Sequence, residues 1–131
     1  MEEGEKMEYV LDRKSVTTHI PAKKLGTYQL GEIDDQQNII WSYAGRSTTC
    51  VQRRLLKHAS KKKYKLFRVQ YWNSVEETFD HECLMFHLYR DIITNKKHPD
   101  APRGLPYACK YCHEHHPLQL RTIAKMKGVS F

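Results

Sequence analysis

Hydrophobic and polar positions along the 131-residue chain alternate or recur in a few well-marked stretches, and most elements can be read from them. Leu25 to Ile33 and Asn38 to Tyr43 carry β-branched and aromatic residues on either side of the polar run Asp34-Asp35-Gln36-Gln37. That pattern predicts an antiparallel hairpin. Tyr64 to Trp72, with Leu66, Val69 and Tyr71, reads as a further strand ended by Asn73-Ser74. Between them, Thr49 to Ser60 predicts a helix that Ser47, Thr48 or Thr49 can cap. Gly45 follows the β-prone residues Ile39, Ile40, Trp41 and Tyr43, and is expected to make the turn from strand to helix where a Cβ would obstruct the backbone. Ser74-Val75-Glu76-Glu77 has the capping-box spacing, serine followed by glutamate at the third position after it, and opens a helix expected to reach Arg90. Val75, Phe79, Cys83, Phe86 and Arg90 recur along it as a core-facing stripe.

The two ends are less regular. Residues 1–8 are charged and read as a frayed terminus. Tyr9 to Ile20 shows no clear period and reads as an irregular lead-in with room for a short strand, broken off at Pro21 and Lys23-Lys24. After Thr94-Asn95, Pro99, Pro102, Gly104 and Pro106 prevent regular structure, and Leu118 to Lys127 is compatible with a last basic helix. The expected organisation is a lead-in over residues 1–24, a domain over 25–96 and a tail over 97–131 packed on that domain. The expected fold class is α+β, a small central antiparallel sheet of about three strands flanked by helices.

Charge adds a partner class. A net charge of +7 and a pI near 9.3 suit a polyanion. No run resembles a transmembrane helix, and the acidic start MEEGEKMEY is unlike a signal peptide, so the expected setting is intracellular, reducing and away from membranes. The 4 cysteines then read as thiols or metal ligands rather than disulfides. Cys109-x-x-Cys112 together with Cys83 and His87, four apart on a helix, has the form of a four-coordinate structural zinc site. Such a site would staple a tail that cannot build its own core. The open alternatives are a buried thiol at Cys83 and a CxxC site completed by His98, His113, His115 or His116. Cys50 stands alone.

Tyr28 in Gly26-Thr27-Tyr28 and Tyr43 in Tyr43-Ala44-Gly45 are separated by 15 positions. Arg54 and His58 follow at i,i+4 on the predicted helix, and Glu82 lies on the next one. This order resembles the GIY-YIG nuclease superfamily over Leu25 to Asn95, with Thr27 and Ala44 departing from the usual branched residues. The resemblance implies a divalent-metal-dependent endonuclease acting on DNA. Tyr28 or Tyr43 would position or deprotonate the attacking water, Arg46 would lower a phenol pKa or hold phosphate, and Arg54 would clamp phosphate. His58 would relay a proton, Glu82 would bind Mg²⁺ or Mn²⁺, and Asn95 would support the site. Arg53, Lys61, Lys62 and Lys63 are candidates for backbone contacts to DNA, with a partner protein as one possible source of target specificity. Each residue also has an ordinary role open to it. The tyrosines could be a cross-strand pair, Arg54 and His58 a solvated helix face, and Glu82 a surface carboxylate. A non-catalytic nucleic-acid-binding module and a protein-interaction zinc domain are the competing functions.

Overall fold

A computed structural model describes residues 8–89, 92–94, 98–102 and 104–111. Seven elements follow in order: β1 (Tyr9–Val10), α1 (Arg13–His19), β2 (Gly26–Ile33), β3 (Ile39–Ser47), α2 (Val51–Lys61), β4 (Leu66–Tyr71) and α3 (Val75–Tyr89). The class is α+β. The strands form one antiparallel sheet in the order β1-β4-β2-β3. It has four strands rather than three, because Tyr9 and Val10 pair with Phe67 and Leu66 at the edge of β4. Among the described residues no helix is long and apolar enough to cross a membrane.

The hairpin of β2 and β3 is closed by Asp34, whose Oδ1 accepts from the backbone N–H of Gln36 and Asn38, both at 2.9 Å, with Gln37 in the left-handed region. At the start of α3, Ser74 Oγ accepts from Glu77 N (3.1 Å) while the Glu77 carboxylate accepts from Asn73 N (3.1 Å). The capping spacing in the sequence thus becomes a reciprocal pair of bonds. At the other helix start, α2 begins at Val51 and not at Thr49. Its N-cap, Cys50, makes no side-chain capping bond; Ser47 Oγ accepts from Cys50 N instead, at 2.9 Å.

The lead-in is a second departure. Residues 9–20 are not irregular: Asp12 caps α1 through its carboxylate to Ser15 N (2.8 Å), and Leu11, Val16 and Ile20 are buried in the core. Residue 25 therefore does not mark the edge of the folded unit. The helix RKSVTTH buries only Val16 and so has no periodic stripe to read; packing against α2 holds it, not amphipathic patterning.

Both faces of the sheet are covered. On one, Tyr28 and Leu30 from β2 and Phe67 from β4 meet Val16, Val51 and Leu55. Full burial of such side chains contributes about 1.5–3 kcal/mol each. On the other face α3 lies across β3 and β2, and its outer side is covered in turn by residues 107–111. Phe79, Cys83, Leu84 and Tyr111 form this second core, with Tyr107 and Cys109 packed against it. Burial on two sides is why α3 hides Thr78, His81 and Glu82 beside its apolar residues, beyond any single stripe.

Candidate active site

The site assembles along β3, the edge strand next to β2. Register places Tyr28 opposite Gly45, Thr27 opposite Arg46 and Leu30 opposite Tyr43. Alternation then sends Tyr28 and Tyr43 to the α2 face and Arg46 to the α3 face. Gly45 does not turn the chain. It is an ordinary extended residue inside β3, with no left-handed φ. Its small size matters for another reason: a Cβ there would lie 2.6 Å from the Cζ and hydroxyl oxygen of Tyr28, so the phenol ring crosses the strand through the space that glycine leaves. Thr27 is likewise more than a neutral replacement in a strand. Its hydroxyl accepts from Trp72 Nε1 at 3.0 Å and bonds His81 Nδ1 at 2.5 Å, tying β2 to α3.

Helix α2 brings Arg54 and His58 to the tyrosines. Tyr28 hydroxyl and His58 Nε2 share a hydrogen bond at 3.0 Å, and the Arg54 guanidinium lies near enough to act on the Tyr28 phenol electrostatically. The rings of Tyr28 and Tyr43 stack with centroids 6.3 Å apart, and the His58 ring lies 4.9 Å from that of Tyr43. Burial pushes the Tyr28 phenol far above its ordinary value, with nearby Tyr43 adding to the shift and Arg54 opposing it. Burial, with the charges of Lys61, Arg54 and Lys57, pulls His58 down to about 4. The pair is therefore a protonated phenol facing a neutral imidazole at neutral pH.

From the opposite face α3 supplies Glu82. Arg46 Nη1 donates to Glu82 Oε1 at 2.5 Å, Arg46 Nη2 donates to the Asp100 carbonyl at 2.6 Å, and the guanidinium lies 5.3 Å from the centre of the Phe79 ring. Desolvation raises the Glu82 carboxyl above the usual range; the guanidinium of Arg46 pulls the other way.

These groups meet at one cleft of about 490 Å³, whose walls include Tyr28, Tyr43, Arg46, Arg54 and Glu82. His58 stands behind Tyr28. Pro99, Asp100, Pro102 and Leu105 form the far wall, which the sequence did not signal: Asp100 takes part through its carbonyl, and a backbone group leaves no mark on residue type. Arg53, Lys61, Lys62 and Lys63 are exposed on and just beyond α2. Asn95 lies outside the described residues.

A second cluster sits behind Glu82. Cys83, His98 and Cys109 place one ligand atom each within 4.8 Å of one another and could hold a metal ion. Of the expected zinc ligands, the structure brings together Cys83 and Cys109, with His98 joining them in the position first assigned to His87. His87 remains adjacent, its Nε2 3.5 Å from the Cys109 sulfur. The exchange follows from segment 98–102, which carries His98 back against α3 until its ring meets His87 with centroids 5.2 Å apart. Cys112 lies outside the described residues. Comparison of the chain with protein-family models, curated proteins and solved structures finds no match.

Neutral His58 carries a pH signature. Its folded pKa is depressed from 6.5 to about 4, so between those values the unfolded chain binds the extra proton more readily. Stability from this group is fully present above pH 6.5 and is lost as pH falls towards about 4. Melting temperature should fall over this window in the wild type, and less steeply in His58→Gln. Parallel profiles for the two proteins would contradict the assignment.

Proposed function

We propose that this chain is a divalent-metal-dependent endonuclease that hydrolyses DNA phosphodiester bonds. The observation that carries the reading is the convergence of Tyr28, Tyr43, Arg46, Arg54 and Glu82 on one cleft, with His58 hydrogen-bonded behind Tyr28. A surface built only to bind phosphate gains nothing from a buried carboxylate in its cleft, since like charges repel. A buried carboxylate, Glu82, facing a cleft with room for water and phosphate oxygens fits Mg²⁺ or Mn²⁺, which keep several water ligands. The bound cation would neutralise charge on the phosphate and on the departing alkoxide.

The protein's own groups handle the proton. A water attacking phosphorus from the tyrosine side loses its proton to Tyr28 oxygen as the phenol hydrogen passes to His58 Nε2. Phenol is thereby restored and His58 becomes imidazolium. Arg54, whose charge acts on Tyr28, stabilises negative charge on that oxygen during the transfer. Tyr43 lines the same cleft, with Pro99 and Pro102 on its far wall.

Zinc is the ion we assign to Cys83, His98 and Cys109. Two thiolates and an imidazole match its preference for sulfur and nitrogen, and an ion there would hold His98 and Cys109 to α3. His87 is the neighbouring candidate for a fourth ligand.

The alternative, a non-catalytic nucleic-acid-binding module, draws on the exposed basic residues Arg53, Lys61, Lys62 and Lys63. Supercoiled and branched DNA incubated with and without Mg²⁺ or Mn²⁺ separates the two. The nuclease reading expects metal-dependent nicking or cutting. It also expects binding that weakens steeply with salt and loses about one unit of log–log slope for each of Lys61, Lys62 and Lys63 replaced by alanine. Tight, salt-sensitive binding with no cleavage under any metal condition would favour the binding module. Salt-insensitive binding would point to the protein-interaction reading.

A further inference from the structure

We infer that metal ligation by Cys83, His98 and Cys109 sets the aim of Arg46 in the cleft, through the backbone of Pro99 and Asp100, so that loading this site controls cutting. The inference rests on the nuclease reading of the cleft and adds a regulation to it. Its basis is a continuous run of contacts. His98 Nδ1 lies 2.8 Å from the Pro99 carbonyl, which can only accept, so this nitrogen carries the proton and Nε2 keeps its lone pair for a metal. Two residues on, the Asp100 carbonyl accepts from Arg46 Nη2 at 2.6 Å. The other end of that guanidinium holds Glu82 at 2.5 Å. Pro99 and Asp100 themselves form cleft wall.

The His98 ring packs edge-on against Phe86 and His87, and the chain beyond it relies on side-chain and backbone contacts rather than a ladder. Residues 98–102 belong to no helix or strand, and proline stiffens their backbone without anchoring it to the sheet. Ligation of His98 to two cysteines, one on α3 and one in the covering segment, is such an anchor. With it in place the Asp100 carbonyl is held where one Arg46 nitrogen reaches it and the other reaches Glu82. Without it, Arg46 keeps Glu82 but loses the contact that orients the guanidinium plane. His98 is thus a positioning residue: it touches no reacting atom and acts through Arg46. A metal that merely staples the tail would alter stability alone.

The test uses the full chain and two readouts. One is cleavage kinetics; the other is the Nε–H signal of Arg46 in an NMR spectrum, assigned with Arg46→Lys. In the zinc-loaded wild type the Arg46 signal should be sharp and protected from exchange. His98→Ala should lose zinc, broaden that signal, and lower kcat by roughly 10- to 100-fold with KM for DNA unchanged. His98→Cys, which restores a ligand, should recover both readouts. In an Arg46→Ala background, His98→Ala should cause no further loss of rate. Should His98→Ala fail to fold, removal of zinc from the wild type by a chelator selective over Mg²⁺ gives the same comparison. Loss of zinc and thermal stability with an unchanged Arg46 signal and unchanged kcat would overturn the coupling, as would zinc content untouched by His98→Ala. A wild type that cuts no DNA would remove the nuclease reading, and the Arg46 signal would then decide the coupling alone.

Discussion

Glu82→Gln should abolish DNA cleavage, lowering the rate by on the order of 10³-fold, while leaving DNA affinity close to that of the wild type. Glu82 is only 9% exposed and faces the cleft beside Arg46, whereas Asp100, the other acidic residue lining the cleft, is exposed. Glutamine keeps the side chain's length and an oxygen able to accept from Arg46, which separates loss of charge from loss of shape. Affinity should survive because the exposed basic residues of and after α2 supply it through phosphate contacts. Glu82→Ala should be equally inactive but less stable, by about 3 kcal/mol, because it strands a partly buried guanidinium. Melting curves and filter-binding titrations beside the cleavage assay distinguish these effects. An active Glu82→Gln protein would dismiss Glu82 as the metal ligand.

Gly45→Ala should be nearly as damaging although it adds one methyl group. The new Cβ would arrive 2.6 Å from both the Cζ and the hydroxyl of Tyr28, and the next ring carbon would be 3.0 Å away. Tyr28 is 1% exposed and wedged among Val51, Leu55 and Phe67, so its ring cannot simply swing aside. Either β3 separates from β2 locally or the phenol moves off His58. Overpacking of this kind costs about 1–3 kcal/mol of stability, and a displacement near 1 Å at a reacting group about 10²-fold in rate. Tyr28→Phe, which removes the hydroxyl without adding bulk, should match the rate loss and largely keep the stability. If Gly45→Ala cut DNA at the wild-type rate, the relay through Tyr28 and His58 could not be the working geometry.

How legible this was in the sequence varies by residue. The hairpin, α2, β4 and α3 are readable because each carries a local mark: a polar turn at Asp34-Asp35, a basic amphipathic run after Ser47, β-favouring Leu66, Val69 and Tyr71 ended by Asn73-Ser74, and a capping box at Ser74. The tyrosines and Glu82 were nameable through resemblance, and their meeting in one cleft depends on strand register that no local pattern encodes. Helix α1 escaped because its one buried residue, Val16, makes no period. The role of Gly45 is hidden from the sequence for a related reason. Glycine reads as a turn when only its neighbours in the chain are known, whereas here the demand comes from a ring on the adjacent strand. Helical spacing from Cys83 puts His87 ahead of His98, whereas the actual choice depends on where a proline-rich segment folds back.

The two cores have a consequence for how this protein fails. Tyr28, Arg54 and His58 are carried by the core beneath α1 and α2, whereas Glu82 is carried by the core between α3 and residues 107–111. Among the described residues the second is the smaller, and it closes over a segment without helix or strand. Units of unequal size open at unequal free energies, so α3 and its cover form the weaker cooperative unit. Catalysis needs both halves at once. Inactivation on heating would then run ahead of global unfolding, with the tyrosine half of the cleft still intact when the carboxylate half has already left it.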